Sequence, residues 1–169
     1  MARVWPVVSM AKTQGSPPES FRVQKTPGWR WLEKAAVRAG GGTNHRTGLY
    51  DMAMVKDNHL PKAGGLTGLQ AGIAALQVAH PGMKVELEAD TVQQVRAFLT
   101  LRGVSFILLD NMSLEEMSEC VGLAQGSGVK LEASGGITLE RLPEIAATGV
   151  DFISSGALTH SVKALDLSL

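Results

Sequence analysis

The sequence predicts an α/β protein: an incomplete (β/α) barrel of the TIM type, with parallel strands inside and helices outside. Short apolar runs that end in polar residues alternate with helix-like stretches along most of the chain. Taking strand centres at Glu86, Leu108, Leu131 and Ile153, the spacings are 22, 23 and 22 residues. Such regular alternation is typical of βαβ units with a parallel sheet, and the period suits a barrel.

The elements follow in order. A first helix is predicted from an N-cap at Thr26 to the glycines at 40–42. Five runs are predicted as strands: AMVKD (53–57), KVELEAD (84–90), SFILLDN (105–111), KLEASGG (130–136) and DFISSGA (151–157). Helical patterns lie between them at roughly 66–79, 91–102, 113–125 and 138–147, with Asp90, Ser113 and Thr138 as expected caps.

The two faces of the predicted strands differ in chemistry. By the two-residue period of a strand, one face is polar and the other is aliphatic. The polar set is Lys56, Glu86, Glu88, Asp110, Glu132 and Ser134, and the aliphatic set is Val55, Val85, Leu87, Ile107, Leu109, Leu131 and Ala133. In a barrel the aliphatic face packs under the helices and the polar face points inward. A doubly wound open sheet is the competing fold, but it requires two apolar faces.

Composition narrows the classes of function. The chain has 169 residues, 44% of them hydrophobic, and 16 basic residues balance 16 acidic ones. Because no net charge would attract nucleic acid or an anionic membrane, neither is expected as a partner. No apolar run reaches the roughly 20 residues that span a bilayer. The single cysteine suits a reducing compartment and predicts a cytoplasmic protein; a signal peptide at residues 1–12 is the alternative, although Pro6 interrupts it.

Carboxylates at successive strand ends predict a cation site. Charged residues on the inner face need partners or a wet pocket, since an unpaired buried charge is very unfavourable. Glu88 and Asp110 end neighbouring strands and suit Mg²⁺, with water and ligand phosphates completing its shell. Glu86 lies one pleat deeper and is expected to pair with a lysine. The alternative is a structural network of salt bridges at the barrel mouth.

Glycine-rich turns follow the last two strands and predict phosphate binding. They are EASGGIT (132–138) and SSGALTH (154–160). A turn that leads into a helix presents backbone N–H groups to an anion. In barrels the last two βα loops often form such a site. Each motif alone would be weak because tight turns need glycine anyway.

A third cluster lies in GGGTNHRTGLYDMAMVKDNH (40–59). Arg46 and Lys56, with His45 as a donor, would make an anion pocket suited to carboxylates. A zinc site of His45, Asp57 and His59 is the alternative, but no metal-ligand spacing is present.

Several motifs together resemble one known family. KTPGWRWLEKAAVRAGGGTNHRTGLYDMAMVKDNH, VELEAD, LLDN, EASGGIT and SSGALTHSVKALDLSL resemble, in order and spacing, the C-terminal barrel domain of the quinolinate phosphoribosyltransferases. The likeness covers residues 25–169. It implies transfer of a phosphoribosyl group from phosphoribosyl pyrophosphate to quinolinate with decarboxylation, yielding nicotinate mononucleotide, pyrophosphate and CO₂ in NAD biosynthesis. It also implies Mg²⁺ as cofactor and a homo-oligomer.

The resemblance assigns roles to matching positions. It implies that His45, Arg46 and Lys56 bind the two carboxylates of quinolinate, and that Glu88 and Asp110 hold the Mg²⁺, pyrophosphate and ribose region. Lys56, Glu88 and Asp110 are the implied catalytic residues. The implied phosphate cradles are Ser134, Gly135 and Gly136, and Ser155, Gly156 and Ala157.

The sequence departs from the family before its first helix. The family reads T-R-K-T-T-P-G there, and its arginine and lysine fall on Val23 and Gln24 of this chain. Residues 1–24 are expected to be an irregular lead-in outside the family pattern, and the family's N-terminal α/β sandwich domain is not expected in the chain. Two further readings stay open, and these departures favour the first. One is a catalytically impaired fragment that keeps the fold and phosphate binding, and the other is a phosphate-binding barrel that acts on another heterocyclic acid.

Overall fold

A computed structural model describes residues 21–22, 30–39, 52–56 and 64–155 of the chain. Strands and helices alternate through these ranges. The strands are β1 (Phe21–Arg22), β2 (Met52–Val55), β3 (Lys84–Ala89), β4 (Phe106–Asp110), β5 (Lys130–Ser134) and β6 (Phe152–Ser154). The helices are α1 (Arg30–Ala39), α2 (Gly65–Ala79), α3 (Val92–Phe98), α4 (Leu114–Ala124) and α5 (Leu142–Ala147).

All the strands belong to one parallel sheet, in the order β1-β6-β5-β4-β3-β2. From β2 to β6, each strand lies beside the next strand of the sequence, and the order across the sheet never turns back. β1 lies beside β6 as it would in a barrel. A doubly wound sheet would reverse its order at a switch point. The α/β class is therefore confirmed and the doubly wound alternative is wrong. In the described part of the chain no pairing joins β1 to β2, so the barrel is not closed.

The aliphatic face of the sheet forms the core with the helices, as the strand alternation predicted. Leu87, Ile107, Leu109 and Leu131 are at most 2% exposed. They belong to the same hydrophobic cluster as residues from α2 to α5, among them Ile73, Val95, Phe98, Met117 and Ile145. Burying one such side chain contributes roughly 1.5–3 kcal/mol. Packing on this face therefore fixes the sheet, and the polar side chains of the opposite face project from a rigid support.

Capping interactions set the starts of two helices. Ser113 was predicted to cap α4, and it does: its hydroxyl accepts from the backbone N–H of Glu116, whose carboxylate accepts from the N–H of Ser113. Asp90 was predicted to cap α3, but the cap is Thr91. The reason is the position of Gln94, three residues after Thr91, which completes the reciprocal pair of bonds.

Helix α5 also begins later than predicted. Thr138 was expected as its cap, but residues 139–141 form a turn and Arg141 is the residue before the helix. Pro143 lies in the first turn, where its missing N–H is tolerated and its fixed φ favours a helix start. The prediction was wrong because the proline, and not the nearest hydroxyl residue, determines where this helix begins.

Two residues of the predicted irregular lead-in are ordered. Phe21 and Arg22 form β1, with Phe21 opposite Ile153 and Arg22 opposite Ser154 in the register of β6. Two residues carry no detectable periodicity, which is why the sequence did not reveal them. The open edge of β6 offers the backbone partners that a short strand lacks by itself. The predicted cap Thr26 lies outside the described residues.

Within the described ranges, no helix combines the length and the apolar character needed to cross a membrane. The longest is α2, with 15 residues. A helix needs roughly 20 apolar residues to span the hydrocarbon core.

The single cysteine gives a pH dependence that can be measured. Cys120 is fully buried, and desolvation, followed by the nearby charges of Glu119 and Glu116, raises its pKa from 9.0 to about 11. The thiol stays protonated to a higher pH in the folded chain than in the unfolded chain. The contribution of the protonated thiol to the free energy of unfolding is therefore complete below pH 9 and is lost as the pH rises toward 11.

Between pH 8.5 and pH 10.5, we expect the free energy of urea unfolding to fall by about 2 kcal/mol more for the unchanged chain than for Cys120→Ala. The alanine variant provides the control, because every other ionisable group is the same in both proteins. Equal losses in the two proteins would show that the thiol has an ordinary pKa.

Candidate functional site

The polar residues singled out in the sequence meet at the carboxyl edge of the sheet. Because all the strands are parallel, the C-terminal ends of β2 to β6 lie along this one edge. The described residues there are Lys56, Glu88, Asp110, Ser134, Gly135, Gly136 and Ser155. Four other predicted site residues, His45, Arg46, Gly156 and Ala157, lie outside the described residues, as do Asp57 and His59 of the zinc alternative.

Lys56 and Glu88 form an ion pair across two strand ends. The Nζ atom of Lys56 donates to Oε2 of Glu88 at 2.9 Å. The glutamate side chain is 12% exposed and the lysine side chain 52% exposed. The carboxylate is therefore held within the edge of the sheet, while the ammonium group reaches toward solvent. An ion pair placed in this way presents both charges to a ligand at the edge.

Asp110 extends the acidic group onto the next strand. In the register of β3 with β4, Glu88 lies opposite Leu108, so Asp110 is one pleat farther along on the same face. Strand spacing and rise place the two Cα atoms about 8 Å apart. The carboxylate of Asp110 accepts from Nδ2 of Asn111 at 3.0 Å. Two carboxylates on neighbouring strands thus face one region of the edge.

The loop after β5 adjoins these carboxylates. Ser134 lies opposite Asp110 in the register of β4 with β5, and its carbonyl accepts from the backbone N–H of Asn111 at 2.9 Å. Gly135 and Gly136 follow with φ of +85° and +56°, in the left-handed region that favours glycine. Their main chain therefore turns directly beside Asp110.

Ser155, the residue that follows β6, is bonded to the loop after β5. Ser155 is buried, and its hydroxyl donates to the carbonyl of Ile137 at 3.2 Å. On the other side of the loop, Arg141 donates from Nη1 to the carbonyl of Gly136 at 3.3 Å. Ser155, the described residue of the second predicted cradle, thus lies against the loop that follows β5.

Two glutamates lie deeper on the same face. Glu86 and Glu132 are both fully buried. The carboxylate of Glu132 accepts a hydrogen bond from the hydroxyl of Ser154 on the next strand. The expected pairing of Glu86 with a lysine stays a prediction. The inner face of this sheet therefore carries acidic side chains well below the edge, as the alternation of the strands predicted.

The donor set fits a hard cation that a ligand helps to bind. Among the described residues, no group of three histidine, cysteine, aspartate or glutamate side chains is gathered closely enough to hold a metal ion alone. Glu88 and Asp110 supply two carboxylates. Mg²⁺ is commonly bound by one or two carboxylates together with water and substrate phosphates, so the residues present fit this ion when a phosphorylated ligand accompanies it.

Sequence reasoning missed two residues of the edge. Arg141 was not identified because no pattern in the neighbouring sequence indicates that its side chain bonds back to Gly136. Asn111 stands in LLDN, and a signal for its conformation was present in the sequence. Asparagine is enriched among the residues with positive φ, and Asn111 has φ of 54°.

The chain was compared with known proteins. A family model described as "Quinolinate phosphoribosyl transferase, C-terminal domain" matches residues 18–169. The chain belongs to this family. The match confirms the resemblance noted in the sequence, and it begins before residue 25, where that resemblance was placed.

Two individual relatives support membership of the quinolinate phosphoribosyl transferase family. The chain is 48% identical over 144 residues to the probable nicotinate-nucleotide pyrophosphorylase [carboxylating] of Bacillus subtilis, covering 85% of this chain and 48% of the relative. A chloroplastic nicotinate-nucleotide pyrophosphorylase [carboxylating] of Arabidopsis thaliana is 39% identical over 185 residues, covering 100% of this chain and 53% of the relative.

A solved structure supports the same relation. The nicotinate-nucleotide pyrophosphorylase of Francisella tularensis superposes with a TM-score of 0.78 at 37% identity, covering 89% of this chain and 53% of that chain. The chain thus spans about half the length of the relatives it matches.

Proposed function

We propose that the chain carries the catalytic barrel of a quinolinate phosphoribosyltransferase. The reaction transfers the phosphoribosyl group of phosphoribosyl pyrophosphate to quinolinate and removes CO₂, producing nicotinate mononucleotide and pyrophosphate. The observation that supports this proposal best is the convergence of the Lys56–Glu88 ion pair, the Asp110 carboxylate and the 134–136 loop at one edge of the sheet. The membership of the family and the names of its relatives support the same reaction.

The first chemical step forms a bond between the ring nitrogen of quinolinate and C1 of the ribose, while the bond from C1 to pyrophosphate breaks. Positive charge develops on the ribose and negative charge on the leaving group. Glu88 and Asp110 would bind the ribose and pyrophosphate region, and the backbone N–H groups of residues 134–136 and 155–157 would bind phosphate oxygens. Mg²⁺, bound through the same two carboxylates, would neutralise charge on the departing pyrophosphate.

The second step removes the 2-carboxylate of the pyridine ring as CO₂, and a proton replaces it on the ring carbon. His45, Arg46 and Lys56 would hold the two carboxylates of quinolinate, since cationic and N–H groups match that dianion. Lys56 is already fixed by Glu88 at the edge, so its ammonium group would stand near the ring where negative charge develops. No covalent nucleophile is needed.

The partners, the oligomeric state and the location of the protein are also part of the proposal. Quinolinate and phosphoribosyl pyrophosphate would be the partners, without nucleic acid or membrane. A homo-oligomer is supported by α1, where Trp31 is 70% exposed and Leu32 61% exposed, because large apolar side chains left in solvent often mark an interface. Cytoplasmic location rests on the single cysteine; the relative from Arabidopsis thaliana is named chloroplastic.

The proposal is tested by assaying the purified chain with quinolinate, phosphoribosyl pyrophosphate and Mg²⁺, with chromatographic detection of nicotinate mononucleotide. We expect product that depends on all three components. Asp110→Asn should abolish it, whereas Glu144→Gln, which changes an exposed carboxylate on α5, should not. Product formation that is indifferent to Asp110 would contradict the proposed site.

A second candidate is a catalytically impaired member of the family that still binds phosphate. Val23 and Gln24, at the positions where the family carries an arginine and a lysine, favour it. Calorimetry separates the two candidates: the impaired chain would bind phosphoribosyl pyrophosphate with Mg²⁺ and yet form no product. A phosphate-binding barrel that acts on another heterocyclic acid would turn over a different member of a panel of pyridine and pyrimidine carboxylates.

A further inference from the structure

Asn111 has an unusual backbone for its position. It follows β4 directly, and its φ of 54° is the one positive value among the non-glycine residues that the structure describes. Residues with a Cβ rarely adopt this region, although asparagine tolerates it better than most. Such conformations persist where surrounding contacts hold them, and they are frequent at functional sites. The contacts of Asn111 therefore indicate what the conformation is for.

Two hydrogen bonds tie Asn111 to the end of its own strand, β4, and to the end of the neighbouring strand β5. Its side-chain Nδ2 donates to Oδ2 of Asp110 at 3.0 Å, and its backbone N–H donates to the carbonyl of Ser134 at 2.9 Å. The first bond engages a carboxylate and is therefore stronger than a bond between neutral groups. With φ in the left-handed region, one residue reaches the acidic group of β4 and the end of β5 together.

The side chain of Asn111 also lies against the glycine turn. A Cβ atom built on Gly135 would stand 2.3 Å from Oδ1 and 2.4 Å from Cγ of Asn111. The amide plane thus occupies the space beside the Gly135 main chain. A side chain at position 135 would therefore collide with this amide.

We propose that Asn111 is a positioning residue that couples the Asp110 carboxylate to the phosphate-binding turn at 134–136. It orients the carboxylate through Nδ2, and its backbone N–H and amide plane fix the position of the turn relative to that carboxylate. One ligand can then contact both groups at once. This inference rests on the proposed function, because it assumes that Asp110 and the turn bind the same phosphoribosyl pyrophosphate. It assigns to Asn111 no contact with the reacting atoms.

Two substitutions separate the side chain from the backbone strain. Asn111→Gly removes the amide and relieves the left-handed strain, whereas Asn111→Ala removes the amide and increases that strain. We expect the alanine variant to melt several degrees below the glycine variant. Both should bind phosphoribosyl pyrophosphate with Mg²⁺ about tenfold more weakly than the unchanged chain, as calorimetry would measure. In kinetics, the KM for phosphoribosyl pyrophosphate should rise about tenfold while the KM for quinolinate stays the same.

Ser113→Ala is the matched control, because it removes a hydrogen-bonded side chain two residues away without touching Asp110 or the turn. It should lower the melting temperature and leave ligand affinity unchanged. If Asn111→Gly binds phosphoribosyl pyrophosphate as tightly as the unchanged chain and only Asn111→Ala binds weakly, the role of Asn111 is that of the backbone alone, and the inference is overturned.

A readout without ligand keeps the inference separate from the proposed function. If the unchanged chain binds no phosphoribosyl pyrophosphate, the proposed function fails, but the coupling can still be measured by amide hydrogen exchange. Asn111→Gly should speed exchange at Gly135 and Gly136 at least threefold relative to Ser113→Ala. Equal exchange in these two variants would overturn the coupling.

Discussion

Replacing Glu88 with glutamine is expected to lower the formation of nicotinate mononucleotide about 100-fold, while the free energy of unfolding stays within about 1 kcal/mol of the unchanged chain. The substitution keeps the shape of the side chain but removes one of the two carboxylates proposed for Mg²⁺. It also removes the charge that holds Lys56 at 2.9 Å. The lysine side chain is 52% exposed, so its ammonium group stays solvated when the pair is broken, and little stability depends on the pair.

Glu119→Gln is the matched control for this experiment. Glu119 forms an ion pair with Arg96 at 2.7 Å, between α4 and α3 and away from the carboxyl edge. We expect it to leave activity and Mg²⁺-dependent binding of phosphoribosyl pyrophosphate unchanged. Lys56→Met combined with Glu88→Gln should lose less than the sum of the two single losses, because the residues interact directly. Equal activity of Glu88→Gln and Glu119→Gln would remove Glu88 from the proposed site.

Replacing Gly135 with alanine is expected to reduce the free energy of unfolding by about 2–5 kcal/mol. An L residue at φ of +85° is strained by roughly 1–2 kcal/mol. The new Cβ would also stand 2.3 Å from Oδ1 and 2.8 Å from the backbone nitrogen of Asn111, and overpacking of this kind costs about 1–3 kcal/mol. Urea unfolding measures the total.

Gly126→Ala isolates the strain from the clash. Gly126 has φ of +76°, and nothing lies within 4 Å of a Cβ added there. This variant should therefore lose only the part of the free energy of unfolding that comes from backbone strain. Adding Asn111→Gly to the Gly135→Ala chain should restore part of its stability, since the side-chain clash disappears and the clash with the backbone nitrogen stays. If Gly135→Ala loses no more than Gly126→Ala, the close approach of Asn111 is absent in solution.

Much of the fold was accessible from the sequence because it depends on periodicities that individual residues carry. The alternation of Leu87, Ile107 and Leu109 with Glu86, Glu88 and Asp110 identified both faces of the sheet. The regular spacing identified the parallel order. Helix starts were less predictable, because several residues compete for each cap and the choice depends on one later side chain, as Gln94 shows for Thr91.

The candidate site was predictable in its residue types and not in its internal contacts. Charged residues at strand ends indicated the edge, but no sequence pattern gives the 2.9 Å pairing of Lys56 with Glu88 across 32 residues. The contact of Asn111 with Gly135 depends on a backbone angle and on the register of two strands. Those quantities arise only when the sheet assembles. The predicted roles of His45 and Arg46 stay predictions.

The alternating faces of the central strands have a consequence for how this protein can change over generations. In β3, β4 and β5 the odd-numbered residues pack under the helices, and the even-numbered residues face the ligand side. Selection for an intact fold therefore acts on the odd positions and also on the buried even positions Glu86, Phe106, Leu108 and Glu132. Selection on what the edge binds acts mainly on Glu88, Asp110 and Ser134. Because consecutive residues of a strand point to opposite faces, a lineage can change the chemistry of the edge at Glu88, Asp110 or Ser134 without placing a new side chain in the core under the helices.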